Sequence, residues 1–117
     1  MSIGISVQTS GEYLFASLTG ELDQSTAHQV KTRLTTAITA QDVRHIVFNL
    51  QGLTFMDSSG IGIILGRYNQ VKQIGGKVFV FGMNPTVNKV FHMAGLAQII
   101  TIIDDEQQII EMFEEAI

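Results

Sequence analysis

Residues 55–62 read Phe-Met-Asp-Ser-Ser-Gly-Ile-Gly, and they hold most of the chemistry that this 117-residue chain can offer. Asp57 brings a carboxylate, Ser58 and Ser59 bring adjacent hydroxyls, and Gly60 and Gly62 leave the backbone open. The simple role for the acid, or for Ser58, is to cap a helix by accepting free N–H groups of its first turn, with Gly60 easing the turn. Capping accounts for one residue, not for paired hydroxyls and a cluster of glycines. A serine at an exposed helix start is a place for a phosphoryl group, which adds about −1.5 to −2 charge at pH 7. The helix dipole favours that charge by about 0.3–1 kcal/mol and the neighbouring carboxylate opposes it, so the fold can carry the modification. At an interface the outcome differs. A partner carboxylate about 4 Å away repels each unit of charge by about 4 kcal/mol at an effective dielectric of 20. Swinging a two-state equilibrium from 1:99 to 99:1 takes about 5.5 kcal/mol, which a dianion in a docked surface can supply.

Other chemistries find less support. The chain has no cysteine, which excludes disulfides, Fe–S clusters, thiolate zinc sites and cysteine nucleophiles. His28, His45 and His92 lie far apart, with no pair at i, i+4 and no carboxylate at ligand spacing, so they read as surface or structural rings and no metal is expected. Gly60, Gly62 and Gly66 invite a phosphate-loop reading, but their spacing is G-x-G-x-x-x-G, no G-K-[ST] follows, and no acid stands where a ribose would be gripped. Met56 occupies the place where a nucleophile elbow needs its first glycine. No catalytic residue and no cofactor is therefore expected, and the chain reads as a non-enzyme.

The elements that must position residues 55–62 follow from periodicity. Ile3, Ile5 and Val7 alternate with polar or small residues, Ser10-Gly11 marks a turn, and residues 13–19 form a second strand, which makes a hairpin. Gly20 then opens a loop, Asp23 caps a helix, and Ala27, Val30, Leu34, Ala37 and Ile38 form its apolar stripe. Residues 46–50 read as a strand buried on both faces, followed by a loop over 51–60 and a helix ended by Gly75-Gly76. Residues 78–81 form the next strand. Asn84-Pro85 starts a helix with Val87, Val90, Phe91 and Ala94 inside, and Gly95 stops it. A short strand over 99–103 precedes a last helix, capped by Asp104, with Ile109, Ile110, Phe113 and Ile117 inside. The order β-β-α-β-α-β-α-β-α predicts an α/β fold with a mixed sheet of about five strands, an N-terminal hairpin, right-handed β-α crossovers and four helices.

Projecting the helix after Ser59 at about 100° per residue brings Ile61, Ile64, Leu65, Tyr68 and Val71 together toward the core. Ser59, Gly62, Ile63, Gly66 and Gln70 fall opposite. Each mid-helix glycine costs about 1 kcal/mol relative to alanine, so two on an outer face suit a surface that another protein approaches closely.

Composition sets the frame for such a partner. One domain spanning residues 1–117 is expected, with 45% hydrophobic and 15% charged residues and a net charge of −4. All seven bases fall in residues 31–95 but are spread out, without the clustered stripe and interleaved aromatics of a nucleic-acid binder. No apolar run nears the ~18 residues of a membrane span, and no basic segment opens a signal peptide, so a cytoplasmic location without a membrane partner is expected.

Several stretches together resemble one family. These are Gly20-Glu21-Leu22-Asp23, Arg44-His45-Ile46-Val47, the run Phe55–Gly62, Leu65-Gly66-Arg67-Tyr68 and Gly75-Gly76, with Pro85-Thr86-Val87 and Phe91-His92-Met93-Ala94-Gly95-Leu96 later. The chain resembles the STAS family, and within it the anti-sigma factor antagonists of sporulating bacteria, of the stage II AA type. That resemblance implies a STAS-like single domain and a switch by partner exchange. The unphosphorylated antagonist would bind an ATP- or ADP-bound anti-sigma factor that is also a serine kinase, releasing the sigma factor. Phosphorylation of Ser58 would end the association, and a PP2C-type serine phosphatase would restore it. Asp23, Asp57, Ser59, Gly60, Gly62, Ile63 and Gly66 would form the docking surface. Gln24 and Ser25 stand where close relatives carry two histidines. The alternatives are an accessory or ligand-binding STAS domain of a transporter or stress-response complex, and a small nucleotide-binding enzyme suggested only by the glycines.

Overall fold

The computed structural model describes residues 2–40 and 42–116, with side chains as far as Met112. Ile3–Ser10 (β1) and Tyr13–Leu22 (β2) form an antiparallel hairpin closed by Gly11-Glu12, where Gly11 takes a left-handed φ of 58°. The chain continues through Ala27–Ala40 (α1), His45–Met56 (β3), Ser58–Lys72 (α2), Val78–Phe81 (β4), Pro85–Met93 (α3), a 3₁₀ turn at Leu96–Gln98, Thr101–Ile102 (β5) and Glu106–Ala116 (α4). The sheet order is β1-β2-β3-β4-β5, parallel from β2 onward. The five-stranded mixed sheet, the opening hairpin and the four helices agree with the expected α/β fold.

Strand order and handedness together dictate the layers. From β2 each crossover moves one strand in the same direction, so right-handed connections place α1, α2 and α3 on one face. There Leu14, Leu18, Ile46, Phe48, Leu50 and Val80 of the sheet meet Val30 and Leu34 of α1, Ile64 and Val71 of α2, and Val87 and Phe91 of α3. α4 lies on the other face. Its Ile109 joins Val47, Phe79, Phe81 and Ile103, with Tyr13 and Phe15 packed alongside.

Several expectations need correction. β2 runs to Leu22 and β3 to Met56, so residues 20–22 and 51–56 are strand rather than loop. The two extensions pair with each other through Thr19↔Gly52, Gly20↔Leu53, Glu21↔Phe55 and Leu22↔Met56, with shifts in register on the way. Gly20 and Gly52 look like loop residues in a sequence, but here they permit close approach. A Cβ on Gly20 would lie 2.5 Å from the Ser2 carbonyl oxygen, and one on Gly52 would lie 2.8 Å from Thr19 Oγ1.

β5 is shorter than expected because Leu96–Gln98 coils into the 3₁₀ turn after Gly95, whose φ is 78°. In α3, Ala94 is exposed at the helix end while Val87 and Phe91 are buried. In α4 the helix starts at Glu106, not directly after Asp104, whose backbone N–H instead bonds the Gln108 side chain. Ile110 is exposed, and the Phe113 and Ile117 side chains lie outside the described residues.

At the opposite end from residues 55–62, His45 starts β3 with its Nδ1 accepting the Lys77 backbone N–H at 3.0 Å and its ring 4.8 Å from that of Tyr13. Partial burial does most to pull its pKa below the ordinary histidine value; Arg44 adds to this, Glu12 opposes it, and Lys77 reinforces it. The unfolded chain therefore takes up the proton first as pH falls through about 6.5. Stability from neutral His45 is present above that pH and lost below it. The wild-type urea midpoint is expected to drop more than that of His45→Gln between about pH 7.5 and about pH 5.5. Equal drops in the two titrations would assign the effect elsewhere.

Candidate functional site

The site is built on two strand ends that stop level with each other. Leu22 and Met56 are register partners, and the next residues are Asp23 and Asp57. Neighbouring strands lie about 4.8 Å apart, so the aspartates emerge side by side at the carboxyl edge of the sheet. The Asp57 N–H donates to the Leu22 carbonyl at 3.3 Å and ties the two ends together.

Both aspartates do the same local work. Asp57 Oδ1 accepts the backbone N–H groups of Ser59 at 2.9 Å and Gly60 at 3.3 Å, which makes Asp57 the N-cap of α2. Asp23 Oδ1 accepts those of Ser25 at 2.9 Å and Thr26 at 3.1 Å, and so organises the turn that leads into α1. The Ser25 hydroxyl, 2.7 Å from Asp23 Oδ1, does most to hold that carboxyl below the ordinary aspartate range; burial opposes it, and the backbone N–H groups and Thr26 hydroxyl assist. Thr26 completes the turn by donating to the Glu21 carbonyl at 2.8 Å.

This arrangement exposes some of the expected residues and hides others. Ser58 is exposed at the first position of α2, outside the capping network, and Gly62 is exposed one turn on. A Cβ added to Gly62 or Gly66 meets nothing within 4 Å, so both glycines border open space. Asp57 and Ser59 are half-buried beside them.

Three residues expected at the surface lie inside. Asp23 is buried with its carboxylate engaged in its own turn, Gly60 is buried under Met56 and Leu22, and Ile63 is 8% exposed and packed in the main core. Leu65, expected inside, is 37% exposed. The helix is rotated from the expected setting because α2 packs against α1 as well as the sheet, which draws Ile63 and Arg67 inward. With Ile61, Ile63, Ile64 and Leu65 within five residues, hydrophobicity alone could not choose the setting.

The outer line of α2 is thus Ser58, Gly62, Leu65 and Asn69, all exposed. Gln24 and Ser25 on the neighbouring turn and Phe55 on the strand end are exposed at the same edge. Phe55 and Leu65 are not expected there from the sequence, although the i, i+3 spacing of Gly62 and Leu65 puts an apolar residue beside a glycine on one helix face. Among the described residues, no three histidine or carboxylate side chains gather to hold a metal, and no helix is long and apolar enough to cross a membrane. A capped, glycine-lined helix start with one outward hydroxyl is suited to contact and modification.

Comparison with known proteins fits that class. Residues 4–109 match the STAS domain, and the chain belongs to the STAS family. It is 41% identical over 106 residues to the anti-sigma F factor antagonist of Paenibacillus polymyxa, covering 91% of each chain. It is 38% identical over 92 residues to the protein of that description in Lysinibacillus sphaericus, covering 79% of each. Among solved structures, the anti-sigma factor antagonist SpoIIAA in its unphosphorylated form superposes with a TM-score of 0.83 at 30% identity, over 96% of this chain and 97% of that one. The Bacillus cell fate determinant SpoIIAA in the phosphorylated form gives a TM-score of 0.74 at 31% identity, over 93% and 99%.

Two glycines of α2 should respond differently to a methyl group. Gly62→Ala is expected to raise stability by about 1 kcal/mol, as for an exposed helix interior. Gly60→Ala is expected to lower it by about 1–3 kcal/mol, because the new Cβ would lie 2.6 Å from Met56 Cγ and 2.9 Å from Leu22 Cγ. Urea unfolding of both variants checks the contrast; destabilisation by Gly62→Ala would mean that this face is closed.

Proposed function

We propose that this chain is an anti-sigma factor antagonist: its unphosphorylated form docks an anti-sigma factor through the exposed start of α2, and phosphorylation of Ser58 ends that contact. The single observation that carries the reading is Ser58 itself, exposed at the first helical position beside a cap that already satisfies the local N–H groups. A phosphoryl group there needs no refolding to be accommodated. It changes the charge of the docking face by about −1.5 to −2 at neutral pH.

The partner is a serine kinase with ATP or ADP bound, and a PP2C-type serine phosphatase reverses the modification. The chain itself performs no catalysis and works in the cytoplasm, with no nucleic acid or membrane as partner. Similarity to the anti-sigma F factor antagonists supports the partner class, and SpoIIAA, a relative at 30–31% identity, exists in both phosphorylated and unphosphorylated forms. Ser59, Gly62, Gly66 and Leu65 supply the contact surface, with Gln24 and Ser25 at its edge and Asp57 holding its geometry. Asp23 contributes through the turn it organises rather than by direct contact.

Incubation with the cognate anti-sigma factor and ATP should add one phosphoryl group, mapped by mass spectrometry to Ser58. Calorimetric titration should show Ser58→Ala binding like the wild type and Ser58→Asp weakened by on the order of a hundred-fold, or about 2.7 kcal/mol. No modification by a kinase proven active on another substrate, or wild-type affinity in Ser58→Asp, would remove the switch.

A further inference from the structure

One buried charged group on the docking helix has no partner among the described residues. Arg67 on α2 is only 8% exposed, and its Nε and Nη1 are buried without a hydrogen bond. No ion pair engages it among the described residues. Burial alone pulls its pKa below the ordinary arginine value, with no carboxylate nearby to offset it. Such a group lowers stability, since an apolar side chain of similar volume would be at least as favourable there. An unpaired guanidinium held in a packed seam is a mark of function rather than of folding.

Its surroundings show what it awaits. Ile38 and Thr39 of α1, Gln70 of α2 and Ile74 in the turn after it line one open cleft, so the flanks of the two helices that carry Thr39 and Gln70 face each other. About one turn back from Thr39 and Gln70 come Thr35 and Arg67. The Thr35 hydroxyl is likewise buried without a partner. One further turn back on α1 is Lys31, which is exposed. The seam therefore carries a buried cation and a spare hydroxyl, with an exposed lysine one turn further back along α1 and, next to Arg67 in the chain, Gly66 bordering open space.

Phosphoserine 58 is not the occupant. It lies nine residues away along α2, about 13.5 Å by helical rise, on the outer line rather than the α1 flank.

We propose that Arg67 is the receptor for a carboxylate of the anti-sigma factor, which enters the α1–α2 seam beside Gly66 with Lys31 and the Thr35 hydroxyl as auxiliary contacts. The proposal rests on the docking reading above and extends it from the start of α2 to its third turn. A carboxylate that pairs with a cation already out of water gives the complex directionality that the flat glycine face lacks. An incorrect partner without an acid at that point would leave the charge buried and unpaired, which makes the seam selective.

Calorimetric titration of the cognate anti-sigma factor into wild type, Arg67→Met and Arg67→Lys tests this, alongside urea unfolding of each protein and the ¹⁵N–¹H signal of Arg67 Nε in wild type. Arg67→Met is expected to be at least as stable as wild type, to bind more than ten-fold more weakly, and to show a shallower salt dependence. Arg67→Lys should recover part of the loss, and the Nε–H signal should shift and exchange more slowly in the complex. Binding by Arg67→Met within two-fold of wild type with an unchanged salt slope would overturn the proposal. If Arg67→Met does not fold, an Nε–H signal that neither shifts nor gains protection in the wild-type complex overturns it instead. Absence of wild-type binding would overturn the functional reading itself, and this proposal with it.

Discussion

Everything at the candidate site depends on the pairing of β2 and β3 out to Leu22 and Met56. Were either strand one residue shorter, Asp23 and Asp57 would not leave the sheet side by side, and the two helix entries would not share an edge. The bond from the Asp57 N–H to the Leu22 carbonyl closes this arrangement. Each aspartate then satisfies the N–H groups of the following turn, so the edge is rigid before any partner arrives. For the proposed switch a fixed edge matters, because a loop that could swing aside would dissipate the repulsion that a phosphoryl group on Ser58 would create.

The α2 helix carries residues that lower its stability. Gly62 and Gly66 border open space, and Arg67 holds a charge inside without a partner. Gly60 belongs to a different class, since it is required by the packing of Met56 and Leu22. Three glycines at intervals of two and four residues therefore have two physical origins. Spacing alone could not separate them, because the difference is in what stands opposite each one.

The fold class and most of its elements were legible in the sequence. Alternation in Ile3, Ile5 and Val7, the Ser10-Gly11 turn, the Asn84-Pro85 helix start and the apolar stripes of α1 and α3 are local signals with local causes. Ser58 and the Asp57 cap were legible for the same reason, since a cap acts only on the turn that follows it. The misread stretches were those stabilised from elsewhere. Residues 51–56 carry glycine and polar side chains and form strand only because residues 19–22 lie alongside.

By itself, then, the sequence determined the order of the elements, the helix start at Asp57 and the serine presented there, because these follow from hydrogen bonds spanning three or four residues. Which sides of α2 face outward was decided by the tertiary structure. Ile63 and Leu65 differ little in hydrophobicity, and only the packing of α1 against α2 sends the first inside and leaves the second exposed. The same packing buries Arg67, whose Nε and Nη1 find no hydrogen-bond partner. Such an absence is a property of three-dimensional neighbours, and no spacing within one helix encodes it.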